Sequence, residues 1–144
     1  MELPDINVLI YAHREDAPEH DRYAAWLRRL AGGVEPFALS SFTLGGFVRI
    51  VTHPRIFDPP TPLDVALSFC ERLLDRPGAA VLQPSRRHWS ILADLLRRTE
   101  IRGAGVSDAF LAALALEHGC ELATTDGDFA RFPGLRWHHP LAAR

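Results

Sequence analysis

The sequence contains no lysine: its 16 basic residues are all arginine, set against 18 acidic ones for a formal net charge of −2. Guanidinium groups bind phosphate through two parallel hydrogen bonds, so an arginine-only surface suits a nucleic-acid partner. The codon bias of a GC-rich genome accounts for the same composition without any partner. Net charge does not decide between them, because a local basic patch can steer an anionic ligand even to a mildly acidic protein. The chain also lacks any run of about 18 apolar residues, which excludes a helical membrane span. Its N-terminus lacks the basic flank and apolar stretch of a signal peptide, so the expectation is a cytoplasmic protein. The two cysteines, Cys70 and Cys120, stand apart in sequence. That leaves no C-x-x-C pair for zinc or redox chemistry and fits free thiols in a reducing compartment. No internal repeat, low-complexity run or flexible linker is present.

At 144 residues and 47% hydrophobic content, the chain suffices for one ordinary core and is too short for two, so residues 1–144 are read as a single domain. The segment from Leu3 to Ala12 is an apolar run with Asp5 near its start, which predicts a brief buried strand leading into a helical turn. Tyr23, Trp26, Leu27 and Leu30 recur at helical spacing and predict a helix over 18–30, stopped by Gly32 and Gly33. A short strand over 37–39 is followed by Ser40-Ser41, a cap for a helix through Phe42, Leu44, Phe47, Val48 and Val51. Prolines 54, 59, 60 and 62 then force a non-helical connection. Further helices are predicted over 62–74, after a cap at Ser85 and after a cap at Ser107, the last closing at Gly119. Strands are predicted over 79–82, 121–124 and 135–137. Short apolar strands alternating with longer amphipathic helices predict an α/β fold with helices on both faces of a parallel sheet of four to five strands. Sites in such sheets gather at the carboxyl ends of the strands. Asp5 and Asp126 each follow a short strand and Asp108 opens a helix, the positions a carboxylate cluster would use.

Such a cluster carries a definite chemistry. Carboxylates brought together without a cation repel one another and hold their protons more tightly. Hard cations such as Mg²⁺ take oxygen ligands, keep several waters, and acidify bound water for phosphodiester hydrolysis. Each aspartate also has a plainer reading. Asp5 can end a strand, Asp108 can complement a helix dipole, and Asp126-Gly127 is a turn signal. The seven histidines, including the pair His138-His139, are read as solvated or structural.

Three segments in order resemble the PIN-domain family, and within it the VapC-type toxins. They are Asp5-Ile6-Asn7-Val8-Leu9-Ile10-Tyr11-Ala12, Ser107-Asp108-Ala109 with Leu111 to Ala115, and Thr124-Thr125-Asp126-Gly127-Asp128-Phe129. The separation of Asp108 from Asp126 matches the family, and the ending Phe132 to Trp137 is typical of one bacterial branch. The resemblance implies a three-layer α/β/α PIN-like domain acting as a metal-dependent endoribonuclease, the toxin of a toxin-antitoxin pair. It implies Asp5, Asp108 and Asp126 as metal ligands and catalytic residues, with Asp128 as an additional ligand or one acting through water. Asn7, Ser107 and Thr125 would hold the carboxylates. Read from its place on the helix rather than from the resemblance, Arg49 would contact a phosphate or an acidic partner, or equally pair with a neighbouring carboxylate. The cofactor implied is Mg²⁺, with Mn²⁺ as a substitute. The partners implied are a VapB-type antitoxin, a structured RNA such as tRNA, and a second copy in a homodimer. One departure stands out: residues 41–49 contain no acid, and Gly45 and Gly46 fall where the family places a glutamate. That favours one strong metal position over a preformed pair. It also keeps open a weakly catalytic module that mainly binds its antitoxin, and a small phosphohydrolase built on Asp126 and Asp128 is a third alternative.

Overall fold

A computed structural model describes residues 1–143. In chain order the elements are β1 (Glu2–Pro4), α1 (Ile6–His13), α2 (His20–Gly32), β2 (Phe37–Leu39), α3 (Ser41–Val51), α4 (Leu63–Leu74) and β3 (Ala79–Val81). They continue with α5 (Arg86–Thr99), α6 (Gly105–His118), β4 (Glu121–Ala123), a 3-10 helix over Gly127–Arg131 and β5 (Trp137–His138). All strand pairs are parallel: β4 lies between β1 and β5, and β2 pairs with β3. β1 and β2 pack side by side, which sets the two ladders next to each other.

Side-chain alternation divides the core. Phe37 and Leu39 of β2 and Ala123 of β4 join one cluster with the apolar faces of α1 to α4. Leu3, Ala38 and Leu122, one residue out of phase, join a second cluster with α5 and α6. Successive strand residues point to opposite faces, so two cores on one strand layer mean helices on both sides. This is the three-layer α/β/α arrangement. No helix among the described residues is long and apolar enough to cross a membrane.

The caps at Ser40 and Ser85 form as the sequence predicts, with the hydroxyls accepting from Thr43 N–H and Arg87 N–H. α1 is a full helix of eight residues rather than a single turn, capped by Asp5. Ser107 does not cap α6. Gly103 turns the chain at φ 63°, and the helix begins at Gly105. Ser107 and Asp108 thus lie within its first turn. In α5, His88 takes a buried place while Trp89 is exposed, because the ring of His88 packs on Phe110 and bonds its carbonyl.

Candidate metal centre

The phase of the strands decides which side chains meet. Leu3 and Leu122 face the α6 side of the sheet. Asp5, two residues beyond Leu3, and Thr124, two beyond Leu122, keep the same phase, and Asp126 follows Thr124 after a bend at Thr125. The ladder persists this far, since Asp5 N–H donates to the Ala123 carbonyl at 2.9 Å and Thr124 N–H to that of His138 at 3.0 Å. The carboxyl ends of two adjacent strands therefore aim oxygen atoms toward the helix that carries Asp108.

Asp5 is the fixed point. Its side chain is buried, one carboxylate oxygen accepts Ile6 N–H at 2.7 Å as the cap of α1, and the other accepts the Thr124 hydroxyl at 2.7 Å. The fully buried Thr124 hydroxyl also accepts Asp126 N–H at 3.1 Å and the Asn7 amide at 3.4 Å. Asn7 in turn accepts Thr125 N–H at 3.5 Å. One hydroxyl thus ties the first and last aspartates of the site together. Asp126 caps the 3-10 helix by accepting Asp128 N–H at 2.8 Å. Asp108 pairs with Arg131, the last residue of that helix, at 3.1 Å.

These carboxylates sense each other. Burial pushes the Asp5 carboxyl above its ordinary range, and the charges of Asp108 and Asp126 push the same way against the opposing Thr124 and Ile6 hydrogen bonds. Burial likewise raises Asp108, opposed by the Arg131 guanidinium and aided by Asp126 and Asp128. Carboxyls raised by burial and by one another's charge make this edge a candidate for a site that takes positive charge.

Among the described residues no group of three histidine, cysteine, aspartate or glutamate side chains is set to hold an ion as it stands. Arg131 pairs with Asp108, and Asp126 has one oxygen accepting from its own helix cap. The donor chemistry still fits a hard divalent cation. Every candidate atom is a carboxylate oxygen, and a metal that keeps its waters can reach such a set indirectly.

The other expected residues fall differently. Asp128 is exposed and enters through its backbone N–H. Ser107 is exposed, and among the described residues no hydrogen bond joins its hydroxyl to a carboxylate. Thr125 contributes only its N–H, whereas Thr124 holds Asp5, a role that continuing the β4 alternation by one residue would have revealed. Arg49 is exposed in the last turn of α3, roughly 12 Å along the axis from Ser41. The missing acid on α3 has a packing counterpart. A Cβ on Gly46 would collide with Ile6 Cδ1, so glycine lets α3 close on α1 immediately behind Asp5, while Gly45 faces open space.

Histidines stay out of the centre. His13 packs edge-on against Phe47 and Phe69 and meets the Thr61 hydroxyl at 3.2 Å. His20 and His118 hydrogen-bond backbone carbonyls. Cavities of 510 and 420 Å³ open between α2 and α4 and beside the 59–62 segment, and the site aspartates line neither.

Comparison with known proteins agrees with this fold. The sequence model of the PIN domain matches residues 3–135. Ribonuclease VapC43 of Mycobacterium tuberculosis is 44% identical over 95% of this chain and 93% of its own length. Ribonuclease VapC25 of the same organism is 36% identical over 97% and 99%. Among solved structures, VapBC2 from Rickettsia felis bound to a promoter DNA fragment superposes with a TM-score of 0.71 at 21% identity, covering 95% of this chain and 96% of that one. M. tuberculosis VapC20, described as a sarcin-ricin-loop-cleaving toxin, gives a TM-score of 0.68 at 16% identity, covering 94% and 99%. At such identities the superpositions speak to the fold.

Proposed function

The chain belongs to the PIN-domain family, and from that premise we propose that Asp5, Asp108 and Asp126 form the metal centre of a VapC-type toxin ribonuclease that cleaves RNA. The ribonuclease activity and the toxin role follow from relatives named as VapC ribonucleases along nearly the whole chain. The assignment of the site rests on one observation: a buried, doubly hydrogen-bonded Asp5 that feels the charges of Asp108 and Asp126 at the carboxyl edge of the sheet.

A bound divalent cation, Mg²⁺ with Mn²⁺ as a substitute, supplies charge neutralisation at the phosphoryl oxygens and a water acidic enough to attack. Asp5, Asp108 and Asp126 would hold it, with Asp128 close enough in charge to add to the field at Asp108. Thr124 fixes the carboxylate of Asp5 and the backbone N–H of Asp126 with one hydroxyl, so that neither reorients as substrate arrives. Asn7 holds Thr124 and the Thr125 N–H, extending the same brace.

The aspartates line neither the cavity between α2 and α4 nor the one beside the 59–62 segment, a setting that suits a polymer lying across the edge better than an enclosed small ester. A structured RNA such as tRNA is the substrate we favour. The partner is a VapB-type antitoxin, and a homodimer is the assembly we expect. A second reading is favoured by two observations: α3 carries no acid, and Arg131 occupies Asp108. In it, the chain binds its antitoxin and cuts RNA only weakly. Incubating total RNA with wild type, Asp5→Asn and Asp108→Asn in Mg²⁺ or Mn²⁺ separates the readings. Cleavage by wild type alone, silenced by EDTA, supports the ribonuclease site. Equal cleavage by all three refutes the site, and a wild type that raises its melting temperature with Mg²⁺ but leaves RNA intact supports the binding module.

A further inference from the structure

The chemistry so far leaves the ion pair between Arg131 and Asp108 without a purpose. For a cation site, a guanidinium is a competitor. It engages a carboxylate that the ion needs and adds positive charge where the ion must settle. Fold stability does not account for it either. Both side chains are more than a third exposed, at 38% and 39%, and a pair so placed adds little to stability because water screens it.

The surroundings nevertheless prepare Arg131 for a position beside the carboxylates. Its guanidinium carbon lies 5.1 Å from the centroid of the Phe132 ring, and that ring is buried, so the guanidinium rests on a fixed surface. Gly105, in the first turn of α6, packs on Ile101, which a Cβ there would strike, and lies within ordinary van der Waals reach of Arg131 Nη2, so the guanidinium sits against the start of the helix that carries Asp108. Arg131 also ends the 3-10 helix that Asp126 caps, so a short rigid path joins it to the other side of the centre. A planar fork of N–H donors that can leave one anion for another is suited to a phosphodiester.

We propose that Arg131 is a phosphate-binding residue of the nuclease centre, stored on Asp108 in the metal-free protein and released to an RNA backbone phosphate when the cation takes Asp108. The inference rests on the ribonuclease reading and adds a residue that the three aspartates do not imply. Its consequence is conditional: Arg131 contributes to RNA binding only when a divalent ion is present.

The test compares wild type, Arg131→Ala and Arg131→Lys in two assays. Thermal melting against Mn²⁺ reads metal binding without catalysis. Arg131→Ala is expected to reach its midpoint at a several-fold lower Mn²⁺ concentration than wild type, because a competitor has gone. Weaker metal binding would make Arg131 a support for Asp108 and overturn the proposal. Anisotropy of a fluorescein-labelled RNA hairpin with a single-stranded loop, a member of the structured class proposed as substrate, is then followed against NaCl, once in Ca²⁺ and once in EDTA. In Ca²⁺ the salt slope of Arg131→Ala is expected to be shallower than wild type by about 0.7, the value of one phosphate contact, and Arg131→Lys to restore it. In EDTA the three proteins should coincide. Equal slopes in Ca²⁺, or the same difference in both media, overturn the proposal while leaving the ribonuclease reading intact. A wild type that binds no RNA in Ca²⁺ removes that reading, and this inference with it.

Discussion

Replacing Thr124 by valine keeps the volume and branching of the side chain and deletes only its hydroxyl. That hydroxyl is fully buried and serves three partners: Asp5 at 2.7 Å, Asp126 N–H at 3.1 Å and the Asn7 amide at 3.4 Å. A hydrogen bond to a charged group is worth roughly 1.5–3 kcal/mol, and the buried Asp5 carboxylate would lose one of its two donors. Taking about 2 kcal/mol, and roughly 2–4 °C per kcal/mol for a chain of this size, the melting temperature should fall by about 4–8 °C in EDTA. Metal affinity should fall by about 10–100-fold, as for other groups that orient ligands from behind. Thr125→Val is the control, because that residue gives the site only its backbone N–H. Its cost should stay within about 0.5 kcal/mol. Equal melting shifts for the two variants would refute the reasoning that Thr124 is the brace of the centre.

Acid titration should expose His13, which burial, and then Arg14 and Arg72, hold below the ordinary histidine pKa. The unfolded chain then binds the proton more readily, so stability is full above the ordinary value of about 6.5 and is lost as pH falls from there toward the depressed folded value. His13→Gln should flatten that acid-side loss in urea melts, and an unchanged slope would contradict it. The two adjacent glycines of α3 should respond oppositely. Gly45→Ala, into open space, should stabilise by roughly 0.5–1 kcal/mol, whereas Gly46→Ala, against Ile6, should destabilise by about 1 kcal/mol or more. Equilibrium denaturation of both variants checks this. Both thiols are buried, and burial pushes Cys70 up to about 11, so Ellman's reagent should stay silent until denaturant is added. Fast native reaction would show that the α4 packing around Cys70 is looser than described.

Strand and helix positions were legible because apolar spacing encodes them. Phe37 and Leu39 fall to one core and Ala38 to the other, as a period of two requires. The caps at Ser40 and Ser85 were legible because each polar residue directly precedes an apolar helical pattern. Ser107 misled because the turn at Gly103 starts α6 at Gly105, three residues before Asp108, and a positive-φ glycine outweighs a nearby hydroxyl. Between Thr124 and Thr125, identical in chemistry, only the phase of β4 decides which one points at Asp5. The partnership of Arg131 and Asp108 was invisible, since it depends on how a 3-10 helix folds back over α6 rather than on any motif.

The most direct test of the account is a crystal structure grown with Mn²⁺ and read by its anomalous signal. The expected result is a manganese peak surrounded by Asp5, Asp108 and Asp126, directly or through water, with Arg131 withdrawn from Asp108. Strong manganese density elsewhere on the chain, with these three carboxylates unmoved and Arg131 still paired, would contradict it.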